Sequence, residues 1–467
     1  MSEIMGLSGM ELSARMARGA MSAVEVMRAA LDRIAAVNPD VNAIVSLRDE
    51  DVLLAEAATA DAGPRRGWLH GMPLAVKDVV ATAGIRTTWG SPLYADFVPD
   101  RDDLLAARLR AAGAILIGKT NTPEFGFGAH SYNPVHGVTR NPYGPDRTAG
   151  GSSGGAGAAL ATRMVAVADG SDAMGSLRNP AGWNNVYSLR PTYGLVPGEP
   201  QGEMLLHPLV AAGPMARCVA DLAALVQVMA GPDPRVPDGR VFEAGDLRAD
   251  VAGRRIGWLG DWGGAWPVEA GILELCRGAL KVFEDLGCVV EPVAAPFPAD
   301  RLWQSWTTLR SWAAVGKQGL LYADPKTRAH LKPELIWEIE RGHALTNAEI
   351  LAASAIRSEW FRAAAALFGR FDALVLPSAQ VWPFPADWEW PKAIDGHAMD
   401  TYHRWMEAMI PVSLIGLPCI TLPAGFGAAG LPMGLQVFGP AWSDRQLLQL
   451  GQGYHDATDW PARRPPP

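Results

Sequence analysis

The residues best suited to chemistry lie in two short stretches rich in glycine and serine. Gly150-Gly151-Ser152-Ser153-Gly154-Gly155 sets two serines among four glycines. Gly170-Ser171-Asp172-Ala173-Met174-Gly175-Ser176-Leu177-Arg178 follows a predicted strand and presents further serines among small residues, where successive N–H groups can face a developing oxyanion. Glycine allows backbone dihedrals and close approaches that other residues refuse, so loops of this composition suit unusual geometry. A serine hydroxyl attacks a carbonyl only when a base within hydrogen-bond reach removes its proton, and no histidine neighbours either loop in the sequence. Lysine can serve as that base if burial lowers its pKa from the ordinary value near 10.4. Lys77 fits, because it ends Met72-Pro73-Leu74-Ala75-Val76-Lys77-Asp78, an apolar run too short for a helix and read as a buried strand.

Other motifs compete for the same residues. Gly151-Ser152-Ser153-Gly154-Gly155 matches the nucleophile elbow G-x-S-x-G literally, yet residues 142–148 before it read as turn formers where an elbow needs a strand. Gly113-Ala114-Ile115-Leu116-Ile117-Gly118-Lys119-Thr120 matches the phosphate-loop pattern G-x-x-x-x-G-K-T, but its middle is an apolar strand and a helix precedes it. Two mobile surface turns would be the plain alternative; bracketing one helix–strand unit is an uncommon way to make ordinary surface.

The elements that must position these loops read as α/β. Apolar spacing between residues 7 and 37 predicts two helices, the second capped by Ser22 with Glu25 three residues on. A helix over Leu104–Ala112 feeding a strand over Ala114–Ile117 adds a βα alternation, and an Ala-rich helix (Ala156–Arg163) leads to a strand (Met164–Ala168). Beyond about residue 220 the chain becomes helical and rich in tryptophan, and strands resume at Ile420–Leu422 and Gly434–Phe438. The expected architecture is one large α/β domain over 1–467 with a mixed, mostly parallel central sheet covered by helices. Within it we expect N-terminal helices (1–60), a catalytic core (65–220), a Trp-rich helical substrate region (221–400) and closing strands with a basic, Pro-rich tail (405–467).

Composition narrows the function classes. Apolar residues make up 49% and charged residues 19% of the 467, which is ample for a large core. Forty-one basic against 49 acidic residues give a net charge of −8 without a basic run, so nucleic acid is not an expected partner. No apolar stretch is long enough for a membrane span and no leader pattern opens the chain, hence a cytoplasmic, soluble protein is expected. Cys218, Cys276, Cys288 and Cys419 lie far apart without a CxxC pair, and the nine histidines form no HExxH or HxH cluster. Buried thiols, satisfied histidines at His130 and His136, no metal and no cofactor are the expectation.

Taken together, Gly71–Asp78, Gly118–Phe125 (GKTNTPEF), the Gly-Gly-Ser-Ser-Gly-Gly loop and Gly175–Pro180 (GSLRNP), in this order, resemble the amidase signature family. The closing run from Gly416 through Pro423-Ala424-Gly425-Phe426 to Gln436 is similar too, so the resemblance spans nearly the whole chain apart from the Trp-rich middle. It implies that Ser176 is the acylated nucleophile, Ser152 a proton relay preceded by a cis peptide bond, and Lys77 the ultimate base. It also implies oxyanion donors among the backbone N–H groups of Ala173, Met174, Gly175 and Ser176, and a brace between Asp172 and Arg178. The implied reaction is hydrolysis of a small, apolar or aryl amide through an acyl-enzyme, with esters or carbamates as further substrates, by a monomer or homodimer. Gly126, Phe127 and Ser153 are the candidate substrate-binding residues, with Phe125 and the tryptophans as further lining. Met174 departs from the family's usual Gly-Gly before the nucleophile and either borders the acyl site or points into the core. The alternatives are a glutaminase-type subunit of a tRNA-dependent amidotransferase and a non-catalytic binding protein on the same fold.

Overall fold

The computed structural model describes residues 3–467; Met1 and Ser2, the first residues of the expected 1–60 helical segment, lie outside the described residues. After a single helical turn over Glu3–Gly6, the N-terminal part runs through α1 (Gly9–Ala17), α2 (Ala23–Val41), the short strand β1 (Ile44–Val45) and α3 (Glu50–Ala62). Helix α2 starts where a capping box forms: Glu25 N–H donates to Ser22 Oγ at 3.1 Å and Ser22 N–H to the Glu25 carboxylate at 2.7 Å. Strand β2 (Pro73–Lys77), helix α4 (Leu104–Ala111) and strand β3 (Ile115–Thr120) follow as a parallel crossover, and β1 adds on antiparallel to make a three-stranded sheet ordered β1-β3-β2. All five residues of β2 are buried, which is why it reads as a continuous apolar run rather than an alternating one.

The region around the two glycine/serine loops comprises β4 (Gly144–Thr148), α5 (Gly154–Ala161), β5 (Val167–Asp172), α6 (Arg178–Trp183), β6 (Tyr187–Arg190) and β7 (Ala211–Ala216). After α7 (Val219–Met229) come β8 (Arg255–Trp258), α8 (Ile272–Asp285) and β9 (Val289–Pro292). Three long helices fill the middle, α9 (Ala299–Ala323), α10 (Pro333–Ala344) and α11 (Asn347–Phe368), before β10 (Ala373–Pro377), β11 (Cys419–Phe426), β12 (Pro432–Phe438) and α12 (Asp444–Thr458).

Eight of these strands form the large sheet in the order β9-β8-β10-β12-β11-β6-β7-β5, flanked by helices in a single α/β domain. The mixed sheet was expected, but its strands are not mostly parallel. Only β8 pairs parallel with β9 and β10, whereas the five remaining neighbour pairs are antiparallel. For one of these pairs the connection decides it: β11 and β12 are joined by a five-residue hairpin over 427–431, too short for the crossover that a parallel pair needs. The strand boundaries also move. The sheet strand expected over Met164–Ala168 is β5 (Val167–Asp172), so the second Gly/Ser stretch starts as strand and becomes loop after Asp172.

The three-stranded and eight-stranded sheets meet edge to edge at the site. Strand β2 ends one sheet, β5 ends the other, and Lys77 N–H donates to Asp169 Oδ1 at 3.0 Å across the junction. Among the described residues no helix is long and apolar enough to cross a membrane, and the four cysteines are free thiols.

Candidate active site

Lys77, the last residue of β2, is 1% exposed and surrounded by hydroxyls. Its Nζ lies 2.8 Å from Ser152 Oγ, 2.9 Å from Ser153 Oγ and 3.1 Å from Ser171 Oγ. Burial draws its pKa from the usual lysine range down to about 7, against the pull of Asp169 and Asp172. A neutral amine has two N–H bonds and one lone pair, so with three serines around it one hydroxyl must point its proton at nitrogen.

Ser152 sits in the glycine loop between β4 and α5, and the Gly151–Ser152 peptide bond is cis, as the resemblance implied. The loop is pinned on both sides. Gly151 N–H donates to Asn179 Oδ1 at 3.3 Å, Gly154 N–H to Ser131 Oγ at 3.0 Å, and Ser153 N–H to the Ser176 carbonyl at 3.1 Å. A side chain at Gly151 would bring its Cβ within 2.8 Å of the backbone at Ala129 and His130, so glycine is there for close approach. The residues before the loop were expected as turn; they form β4, paired with a neighbouring short strand, because a hairpin can recruit polar residues by backbone pairing alone. The strand–loop–helix context of an elbow is therefore present, but the serine in its middle position, Ser153, is fully buried against Lys77 and does not reach the cavity. That also corrects the expectation that Ser153 contacts substrate.

Ser152 and Ser176 open onto one cavity of about 220 Å³, together with Gly126, Phe127, Ser171 and Ala173. Ser176 belongs to a loop organised around Asp172, which is wholly buried. Asp172 accepts from Arg178 Nη2 at 2.9 Å and Nε at 3.0 Å, from Leu177 N–H at 3.1 Å, and from Arg190. Burial alone would raise its pKa, but Arg178 and Arg190 outweigh that and hold it below the usual carboxylate range. The expected Asp172–Arg178 brace is thus present, and Arg190 completes it.

Asp172 Oδ1 also takes the N–H of Gly175 at 2.9 Å. Gly175 is therefore not an oxyanion donor in this arrangement, because its only N–H is spent on a buried anion; the amides of Ala173, Met174 and Ser176 donate to no protein acceptor among the described residues. Met174 is 3% exposed, packs in the main hydrophobic core and does not line the cavity. Gly175 has φ +86°, and a Cβ there would come within 2.6 Å of Met409. Gly175→Ala should cost about 1–3 kcal/mol of stability, read as a lower midpoint of chemical unfolding, and a midpoint unchanged from the native protein would contradict it.

The opposite wall comes from α9, within the Trp-rich segment over 221–400, and from the segment before β7. One face of α9 supplies Trp306, Arg310, Ala313, Ala314 and Lys317, and the segment before β7 supplies His207, Leu209 and Val210. Phe125 and Phe127 line the cavity as expected, but of the tryptophans only Trp306 does. The α9 residues recur at helical spacing, a signal that was available in the sequence. Lys119, from the phosphate-loop look-alike, is buried in β3 and donates to Val80 O and to Thr82 Oγ1 at 2.6 Å. His130 is likewise a satisfied buried side chain, within 2.7 Å of Thr148 Oγ1 and 3.0 Å of Ala386 O. Among the described residues no three His, Cys, Asp or Glu side chains converge to hold a metal.

The family model for Amidase matches residues 25–448. Over 97% of this chain and 98% of its own length, a glutamyl-tRNA(Gln) amidotransferase subunit from Thermosynechococcus vestitus is 35% identical. An acylamidase from Rhodococcus erythropolis is 32% identical over 98% of this chain and 97% of its own. Among solved structures, a bacterial aryl acylamidase superimposes with a TM-score of 0.87 at 28% identity, covering 98% of this chain and 99% of that one. A 6-aminohexanoate cyclic dimer hydrolase gives a TM-score of 0.88 at 25% identity over 99% of both chains.

Proposed function

The chain belongs to the amidase signature family and is an amide hydrolase, and from that premise we propose that it cleaves a small amide with an apolar or aryl portion through an acyl-enzyme on Ser176. The observation that carries this reading is the buried Lys77 Nζ at 2.8 Å from Ser152 Oγ, with Ser152 and Ser176 opening on the same cavity. Ser176 Oγ attacks the carbonyl as its proton passes to Ser152 and the Ser152 proton passes to neutral Lys77. The same path run backwards protonates the leaving amine, and a water activated by the relay then frees the acid. The amides of Ala173, Met174 and Ser176 are the candidate donors to the oxyanion. Tightening of Ser152 onto Ser176 is left to the bound substrate, as is common for catalytic hydrogen bonds.

The lining favours an apolar or aromatic substrate body: Phe125, Phe127, Trp306 and Leu209 face the reacting serines. Esters and carbamates present the same carbonyl and leaving group to the nucleophile and fall within the reading. Incubation with an activated aryl ester followed by peptide mass mapping should place the acyl group on Ser176; an acyl group found on another residue would remove the assignment.

A second reading is a glutaminase component of a tRNA-dependent amidotransferase, supported by the 35% identity to the amidotransferase sequence from Thermosynechococcus vestitus. Release of ammonia from glutamine faster than from any aryl amide would favour it over the first.

A further inference from the structure

We propose that the α9 wall of the cavity is a subsite for a carboxylate or similar anionic group carried by the substrate, held by Lys317 and the free edge of the Arg310 guanidinium. This rests on reading the cavity as the amide-cleaving site. In a chain of net charge −8, the lining includes Arg310, Lys317 and His207 and no aspartate or glutamate. A concave, partly desolvated surface of one sign concentrates ligands of the other.

The charges around this wall can be followed one by one. Arg310 Nε donates to Glu338 Oε1 at 2.7 Å, and its Nε and Nη2 reach Tyr402 Oη at 3.1 and 2.7 Å. Glu338 is fully buried behind the wall and also accepts from Ser311 Oγ at 2.5 Å, so it neutralises Arg310 without facing the cavity. The guanidinium lies 4.9 Å from the Phe127 ring centre, and Nη1 donates to no protein acceptor among the described residues. An arginine fixed from behind in this way keeps a donor directed to a ligand at little entropic cost.

Lys317 is two turns further along the same face of α9 and forms no ion pair among the described residues. Its side chain is exposed at the cavity mouth, while the surrounding protein and then the Arg310 charge draw its pKa below the ordinary lysine value. A bound anion would offset both effects. His207 is drawn below its ordinary pKa by burial, against Glu203 at 4.0 Å, so it adds a polar ring rather than a second free charge. Gln318 Oε1, also in the lining, is buried with no hydrogen-bond donor, which suits an N–H on the ligand.

Two matched pairs of substrates test the subsite: acetanilide against 4-acetamidobenzoate, with the charge on the amine side, and butyranilide against succinanilate, with the charge on the acyl side. In at least one pair the anionic member should have kcat/KM about tenfold higher than the neutral one. That ratio should fall as salt rises and drop below one in Lys317→Glu. Calorimetric binding of the same compounds to Ser176→Ala protein should give the same order of affinities. A ratio at or below one in both pairs, or a ratio unchanged by Lys317→Glu, overturns the subsite while leaving amide hydrolysis intact. Failure of the native protein to cleave any of the four amides would overturn the functional reading itself.

Discussion

Ser176→Ala should lower turnover of an activated aryl ester or amide by about 10⁴-fold or more, while substrate binding persists. The size follows from the arrangement of the site. Ser176 Oγ is the atom that forms the covalent bond in the proposed mechanism, and its loss leaves the relay with nothing to deprotonate. Ser152 and Ser171 also face the cavity, yet both hydroxyls are engaged with Lys77, at 2.8 and 3.1 Å. The alanine keeps its backbone N–H, so the oxyanion donors and the Asp172 hub remain in place. Steady-state rates with an activated ester, beside calorimetric binding of a slow amide, separate the two effects. Turnover within tenfold of the native protein would end the assignment of Ser176.

Lys77→Met should be nearly as severe, because it removes the base and keeps the length and apolar character of the buried stem. We expect a loss of about 10²–10⁴-fold in kcat/KM, together with a change in pH profile. The sign is set by which form works: the base must be neutral, and the neutral fraction grows as pH rises. Native kcat/KM should therefore climb through the lowered Lys77 pKa of about 7 and level off above it. Asp169 is the group that could imitate this, since burial pushes its carboxyl up to about 6 and it hydrogen-bonds the Lys77 backbone. Lys77→Met should abolish the inflection, and Asp169→Asn should retain it at a shifted position. An inflection that survives Lys77→Met would assign the titration elsewhere.

The parts of this site that could be read from sequence are those written contiguously. Lys77, Ser152 and Ser176 each sit in a short motif whose composition states its need, either a buried apolar strand ending in a cation or glycines packed around a hydroxyl. Ser171 and Ser153 were visible as serines, but their engagement with Lys77 depends on two sheet edges meeting, a juxtaposition with no local signature. Gly175 illustrates a different limit. Spacing places its N–H beside Ser176, yet whether that N–H faces the cavity or Asp172 depends on one peptide orientation. The parallel character expected of the sheet failed for a related reason: one βαβ unit was legible at β2–α4–β3, and that unit turned out to lie in the smaller sheet. The far wall was written in α9 as a stripe in which Arg310 and Lys317 interrupt apolar positions; a helix with cations on its inward face identifies a wall only once something is known to face it.

The clamp on the Ser176 loop has a consequence for the order in which the site is completed during synthesis. Arg178 donates to Met409 O at 3.1 Å, Ser413 Oγ at 2.6 Å and Gln436 Oε1 at 2.7 Å, partners more than 230 positions downstream. Lys77, Ser152 and Ser176 all lie within the first 176 residues and are synthesised before any of these partners. A nascent chain that already holds the lysine and both serines therefore lacks the contacts that fix the Ser176 loop. The hydrogen bonds that hold this loop are therefore complete only once β12 has been made.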